Sequence, residues 1–172
     1  MSCLLLLAAT LAIGDSYPSC SVASKRNVPF TSWAGTDMLE VSINGNPCYE
    51  ATLVLTITSE EGHRLYRYEA PFKLHVAAHW EDPDLAEDAK RLIQRFNDHV
   101  SFSKSSELPK WSSVEDYYEA NYQVLQVDRA YYEMLLQQDW FVYTHKIHYE
   151  GWRVITFDRL KQQMVVVSEG GV

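Results

Sequence analysis

The sequence predicts an α+β fold: an antiparallel β-sheet built from two meanders, with two helices packed on one face. Three observations carry this. Residues 39–76 place apolar side chains at alternate positions between turn residues, residues 85–96 and 113–138 carry them at helical spacing, and residues 140–167 return to aromatic and β-branched runs. The order is strands, helices, strands, and not the strand-helix alternation of a parallel sheet.

The clearest element is a central hairpin. Ala51, Leu53, Leu55 and Ile57 alternate with Thr52, Val54 and Thr56, the period of a strand with one buried face. Ser59-Glu60-Glu61-Gly62 turns the chain, and Leu65, Tyr66 and Tyr68 begin the return strand. Upstream, Leu39, Val41 and Ile43 alternate with Glu40, Ser42 and Asn44, and Asn44-Gly45-Asn46-Pro47 is a tight turn. Pro71 interrupts before Phe72, Leu74 and Val76 continue extended, so the first meander has three or four strands. Residues 15–36, rich in Ser, Pro, Lys and Arg, are expected as an irregular arm with Phe30 and Trp33 docking on the core.

Asp82-Pro83 starts the first helix, Asp as cap and Pro at the first position, and Asp84, Glu87 and Asp88 suit its positive end. Leu85, Ala89, Leu92, Ile93 and Phe96 form its apolar face. Ser112-Ser113-Val114-Glu115 is a capping box that predicts a second helix from Ser113 to about Gln138. Its apolar residues cover more than one stripe, so this helix is either buried on two sides or broken near Gln126. Trp140–Tyr149, Glu150-Gly151 and Trp152–Phe157 then spell a hairpin, and Met164–Val167 a last short strand.

At 172 residues and 47% hydrophobic the chain is long enough for one well-filled domain. Its formal net charge of −8 disfavours nucleic acid and anionic membrane surfaces as partners. Leu4 to Ile13 is an uncharged apolar run followed by Gly14, which predicts a signal peptide over residues 1–14 and a mature domain over 15–172, although Met1-Ser2-Cys3 lacks the usual basic residue. Tyr17-Pro18-Ser19 is not a lipidation sequence, so no stable membrane anchor is expected after cleavage, and the protein is placed in the periplasm or outside the cell. With Cys3 removed, Cys20 and Cys48 form an even pair in an oxidising compartment and are expected as a disulfide.

Little points to catalysis. His75 and His79 on a strand stand too far apart to share an ion, and His145 and His148 would face opposite ways. Glu81-Asp82-Pro83-Asp84 lacks the order of a calcium loop, and there is no Gly-x-Ser-x-Gly elbow, Cys-x-x-Cys pair or phosphate-binding Gly motif. No catalytic residue, metal or cofactor is predicted. Eleven Tyr and five Trp are hard to bury together, so part of the aromatic surface is expected to face a partner.

These observations favour an exported, non-catalytic binding protein, of the inhibitor or immunity type, that blocks a partner enzyme or toxin in the periplasm. The polar loop 101–113 is the expected inserted element, through Ser103, Lys104, Ser105, Ser106, Glu107, Lys110 and Trp111, joined by Tyr143 and His145 from the aromatic strands. Two alternatives stand beside it. One is a small-ligand carrier with a pocket between the curved sheet and the Tyr-rich helix. The other is a hydrolase with residues scattered along the sequence, recognisable by a His within reach of a Ser or Cys and an acid behind it.

Overall fold

Alternating apolar residues between positions 20 and 71 fold into a four-stranded antiparallel sheet, β1 (Cys20–Val28), β2 (Asp37–Gly45), β3 (Thr52–Thr58) and β4 (Arg64–Pro71), in that order. The computed structural model describes residues 18–32, 35–76, 84–98, 101–113, 119 and 122–171. The signal peptide expected at 1–14, Trp33, Asp82-Pro83, His79 and Glu115 of the capping box lie outside the described residues.

The central hairpin is as the sequence predicts. Leu39 pairs with Ile57, Val41 with Leu55 and Ile43 with Leu53, and all six side chains are fully buried. Gly45 ends β2 where a Cβ would lie 2.3 Å from Ala51 Cα, so only glycine lets the chain re-enter so closely. A short 3-10 turn, Cys48–Glu50, completes the connection.

Two expectations are corrected here. Residues 20–28 are a full strand rather than an irregular arm, paired with β2 along its length. Its inward positions include Ser24 and Arg26, so an edge strand with polar residues on both faces shows little alternation to read. Residues 72–75 form a 3-10 turn rather than extended chain, fixed by Phe72 N donating to Ala51 O and Tyr149 N donating to Leu74 O.

The second sheet holds β5 (Phe102–Lys104), β6 (Gln123–Leu125), β7 (Phe141–His148), β8 (Gly151–Asp158) and β9 (Gln163–Gly171), in the order β5-β7-β8-β9-β6. The α+β class and the two meanders stand as predicted, each meander forming its own sheet. The two sheets share a core: inward residues of β1 to β3 meet Tyr143, Ile155 and Phe157 of the second sheet. Phe30 docks there as expected, edge-on to Phe141 and Tyr143.

Helix α1 (Leu85–Phe96) buries Leu85, Ala89, Leu92, Ile93 and Phe96 into that core. Helix α2 (Arg129–Gln138) belongs to a second cluster, where Tyr132 and Leu135 pack with Trp140, Val142, Val154 and Val167. The long helix expected from Ser113 is therefore broken, close to Gln126, because residues 123–125 pair as a strand with Ser168, Glu169 and Gly170. A Cβ at Gly170 would sit 2.1 Å from Tyr122 O, so a glycine admits this strand. Asp128 restarts the helix, its carboxylate accepting from Tyr131 N at 2.8 Å.

Cys20 and Cys48 are joined, with Cα atoms 4.7 Å apart and a sequence separation of 28. Closing a loop of that length removes unfolded-state entropy worth about 3 to 4 kcal/mol. Cys20→Ser/Cys48→Ser should lower unfolding free energy by about that amount with an unchanged far-UV spectrum, as read by urea titration; a change under about 1 kcal/mol would mean that the bond adds nothing to a loop already closed by β1–β2 pairing.

Candidate functional site

Strand alternation decides which side chains of β7 and β8 face the first sheet. His145 pairs with Arg153 across the two strands, and both point toward β4, which sends Tyr66 and Tyr68 to meet them. Four polar side chains thus sit where two sheets close on each other, and each must find a partner there.

The partners give the network a direction. His145 Nδ1 lies 3.0 Å from Lys146 O, and a carbonyl only accepts, so Nδ1 carries the proton and Nε2 is the bare acceptor. Tyr66 therefore donates its hydroxyl proton to His145 Nε2 at 2.9 Å, while its oxygen accepts from Arg153 Nη1 at 2.9 Å. Arg153 Nε in turn donates to Glu169 at 2.7 Å. Tyr68 donates to Ile147 O, which leaves its oxygen to accept from His75 Nε2 at 3.3 Å. His75 Nδ1 is then a buried acceptor with no partner.

Burial sets the titration of these groups. It pushes His145 down to about 3, with the charge of Arg153 adding, and His75 down to about 4, with Lys146 adding. It pushes Tyr68 up to about 12 and raises Tyr66 despite the opposing guanidinium of Arg153. Both histidines are neutral at pH 7 and both phenols keep their protons.

The site continues outward into a cleft. β5 pairs only with Phe141–Tyr143, and among the described residues no strand continues beside the rest of that edge of β7. The C-terminal half of α1 stands there instead, leaving a cleft of about 240 Å³ lined by Leu92, Arg95, Phe96, Ser101, Thr144, His145, Lys146 and Trp152. Phe96 stacks on the His145 ring, and its carbonyl accepts from Tyr143 Oη at 3.0 Å, so the wall is fixed to the strand behind it.

The residues expected to meet a partner separate into two groups. Ser105, Tyr143 and His145 are buried, which corrects their assignment to a contact surface. Ser105 is a structural pin, donating to Leu135 O and accepting from Trp140 N, and Tyr143 stacks on Phe102 in the core. Lys104, Ser106, Glu107 and Lys110 are exposed, Ser103 is half-buried in β5, and Trp111 packs beside Tyr132. Lys104 and Ser106 both bind Asp139, so the segment is anchored rather than loose. Among the described residues a pocket opens beside α1, while α2 packs on the other face of the second sheet.

The sequence missed the network for a physical reason: Tyr66 and Tyr68 are distant from His145 and Arg153, and only sheet packing brings them together. The hydrogen-bond partners of His75 and His145 are tyrosines and a backbone carbonyl, not Ser or Cys. Among the described residues no three of His, Cys, Asp and Glu gather to hold an ion, and no helix is long and apolar enough to cross a membrane. Comparison of the chain with protein-family models, with curated proteins and with solved structures finds no match to any of them.

Two predictions follow from the burial. Between the native values of about 4 and 3 and the ordinary value near 6.5, the unfolded chain takes up protons that the fold refuses. Stability from these histidines is complete above about pH 6.5 and falls as pH drops toward 4, by about 1.4 kcal/mol per pH unit for each. His75→Phe, which removes an unpartnered acceptor, should leave stability at pH 7 unchanged or higher and flatten its decline around pH 5; an unchanged slope in denaturant titrations at pH 4.5 to 7 would count against a neutral buried His75. Tyr66→Phe should cost about 1 to 3 kcal/mol, because it strands both His145 Nε2 and one Arg153 donor; a loss of only a few tenths would mean that water reaches them.

Proposed function

We propose that the protein is an exported, non-catalytic carrier of a small molecule, held in the cleft between α1 and β7. The observation that carries this is the cleft itself. Leu92, Phe96 and Trp152 give it an apolar body, and the hydroxyls of Ser101 and Thr144 are among the few polar groups that line the rest. Its walls are held by the Tyr143 to Phe96 hydrogen bond, which suits a preformed site.

Export is supported by the Cys20–Cys48 disulfide, a bond that oxidising compartments permit. The non-catalytic reading draws on the neutral histidines. A base titrating near 3 and phenols held above 10 are poorly matched to proton transfer near neutral pH.

A second reading, a protein that blocks a partner enzyme, is favoured by the way Ser105 pins the segment around it while Lys104, Ser106, Glu107 and Lys110 stay exposed. The two are separable. Native mass spectrometry of the protein recovered from a secretory host should show an added small mass, and Thr144→Phe, which fills the cleft from an outward strand position, should abolish it while keeping the same melting profile. No bound mass, together with a stoichiometric protein partner lost on Glu107→Lys/Lys110→Glu, would overturn the carrier in favour of the blocking protein.

A further inference from the structure

The cleft has an electrical polarity that the chain as a whole does not. The protein is acidic, with a formal net charge of −8. Yet both charged residues among the described lining of the cleft are cations, Arg95 from the last turn of α1 and Lys146 from β7. No ion pair among the described residues involves either. The other described basic residues of α1, Lys90 and Arg91, pair with Glu87 and Asp88 on their own helix.

Two like charges without a carboxylate between them repel each other. Lys146 shows it: burial holds its pKa below the ordinary range, the charge of Arg95 lowers it further, and Glu150 of the adjoining turn opposes both. Among the described residues Lys146 Nζ meets the Tyr149 carbonyl at 2.5 Å and the face of the Tyr149 ring. An anion in the cleft would relieve that repulsion, and hydrogen bonds between a cation and a carboxylate are stronger than neutral ones.

Size and lining narrow the occupant. A cavity of about 150 Å³ holds benzene, so about 240 Å³ has room for one ring and a short arm. Leu92, Phe96 and Trp152 offer that ring apolar and aromatic surface, and Ser101 and Thr144 supply hydroxyls. We infer that the cleft binds a small organic anion, an aromatic carboxylate of one ring and a short side arm, with the carboxylate between Arg95 and Lys146 and the ring against Phe96 and Trp152. This rests on the carrier reading and adds the charge and shape of the ligand to it.

The test compares two probes of the same shape, 3-phenylpropionate and 3-phenylpropionamide, by titration calorimetry on the mature disulfide-bonded protein, freed of any ligand by denaturation and refolding. The carboxylate should bind at least tenfold more tightly than the amide. Arg95→Gln and Lys146→Gln should each weaken the carboxylate about tenfold and leave the amide within twofold, and both variants change exposed or half-buried side chains whose loss the fold tolerates. Equal binding of both probes would overturn the anion inference and leave the carrier reading intact. Binding of neither probe, with Thr144→Phe indistinguishable from the parent in native mass spectra, would overturn both.

Discussion

One hydroxyl settles how the two sheets meet. Tyr66 stands on β4 of the first sheet and reaches His145 on β7 and Arg153 on β8 of the second, giving a proton to one and taking a hydrogen bond from the other. Apolar side chains at that interface could slide past one another with little penalty. A hydroxyl with one donor and a directional acceptor cannot, because each of its partners loses about 1 to 3 kcal/mol when left buried and unpaired. The relative placement of β4 and β7 follows from this bond and from Tyr68, which donates to Ile147 O two residues further along β7.

The same placement builds the cleft. With β7 held against β4, α1 has to occupy the space beyond the short strand β5, and it is tied there from three directions. Arg26 of β1 donates to Asn97 O at 2.6 Å, Tyr143 to Phe96 O, and Leu85 packs beside the disulfide that joins β1 to the β2–β3 connection. The cleft is therefore walled by elements whose positions are fixed by bonds outside it. Such a wall would order little on binding, so a ligand entering it would cost little conformational entropy.

Much of the frame could be read from the residues. The alternation at 51–57, the apolar face of Leu85 to Phe96 and the even pair of cysteines each report a local or nearly local constraint, and each appears in the structure where the sequence puts it. What escaped has a common cause. β1 and β6 are edge strands, and their residues answer partners distant in sequence, Asn97 for Arg26 and Gly170 for Gln123, so neither shows a strong period. His145 looked like a surface residue because His so often is; it is buried only because Tyr66, from another sheet, satisfies its nitrogen. The cleft was the least visible feature, since it is made by the place where β5 stops pairing.

The acidity of the chain and the cations of the cleft act over different distances. At physiological salt the Debye length is about 8 Å, so most of the formal charge of −8 is screened from an anion already inside the cleft, while Arg95 and Lys146 line it directly. An anion approaching from solution meets the opposite balance, because the long-range field is that of the net charge. For the inferred anion, association would therefore be slowed by the whole protein and dissociation by two residues. A site built this way holds its ligand once loaded and does not compete for it by speed, and added salt weakens the two effects in opposite directions, faster entry and faster exit. The proposed carrier would need that behaviour to retain its cargo, and it would follow from where the two cations sit rather than from how many charges the chain contains.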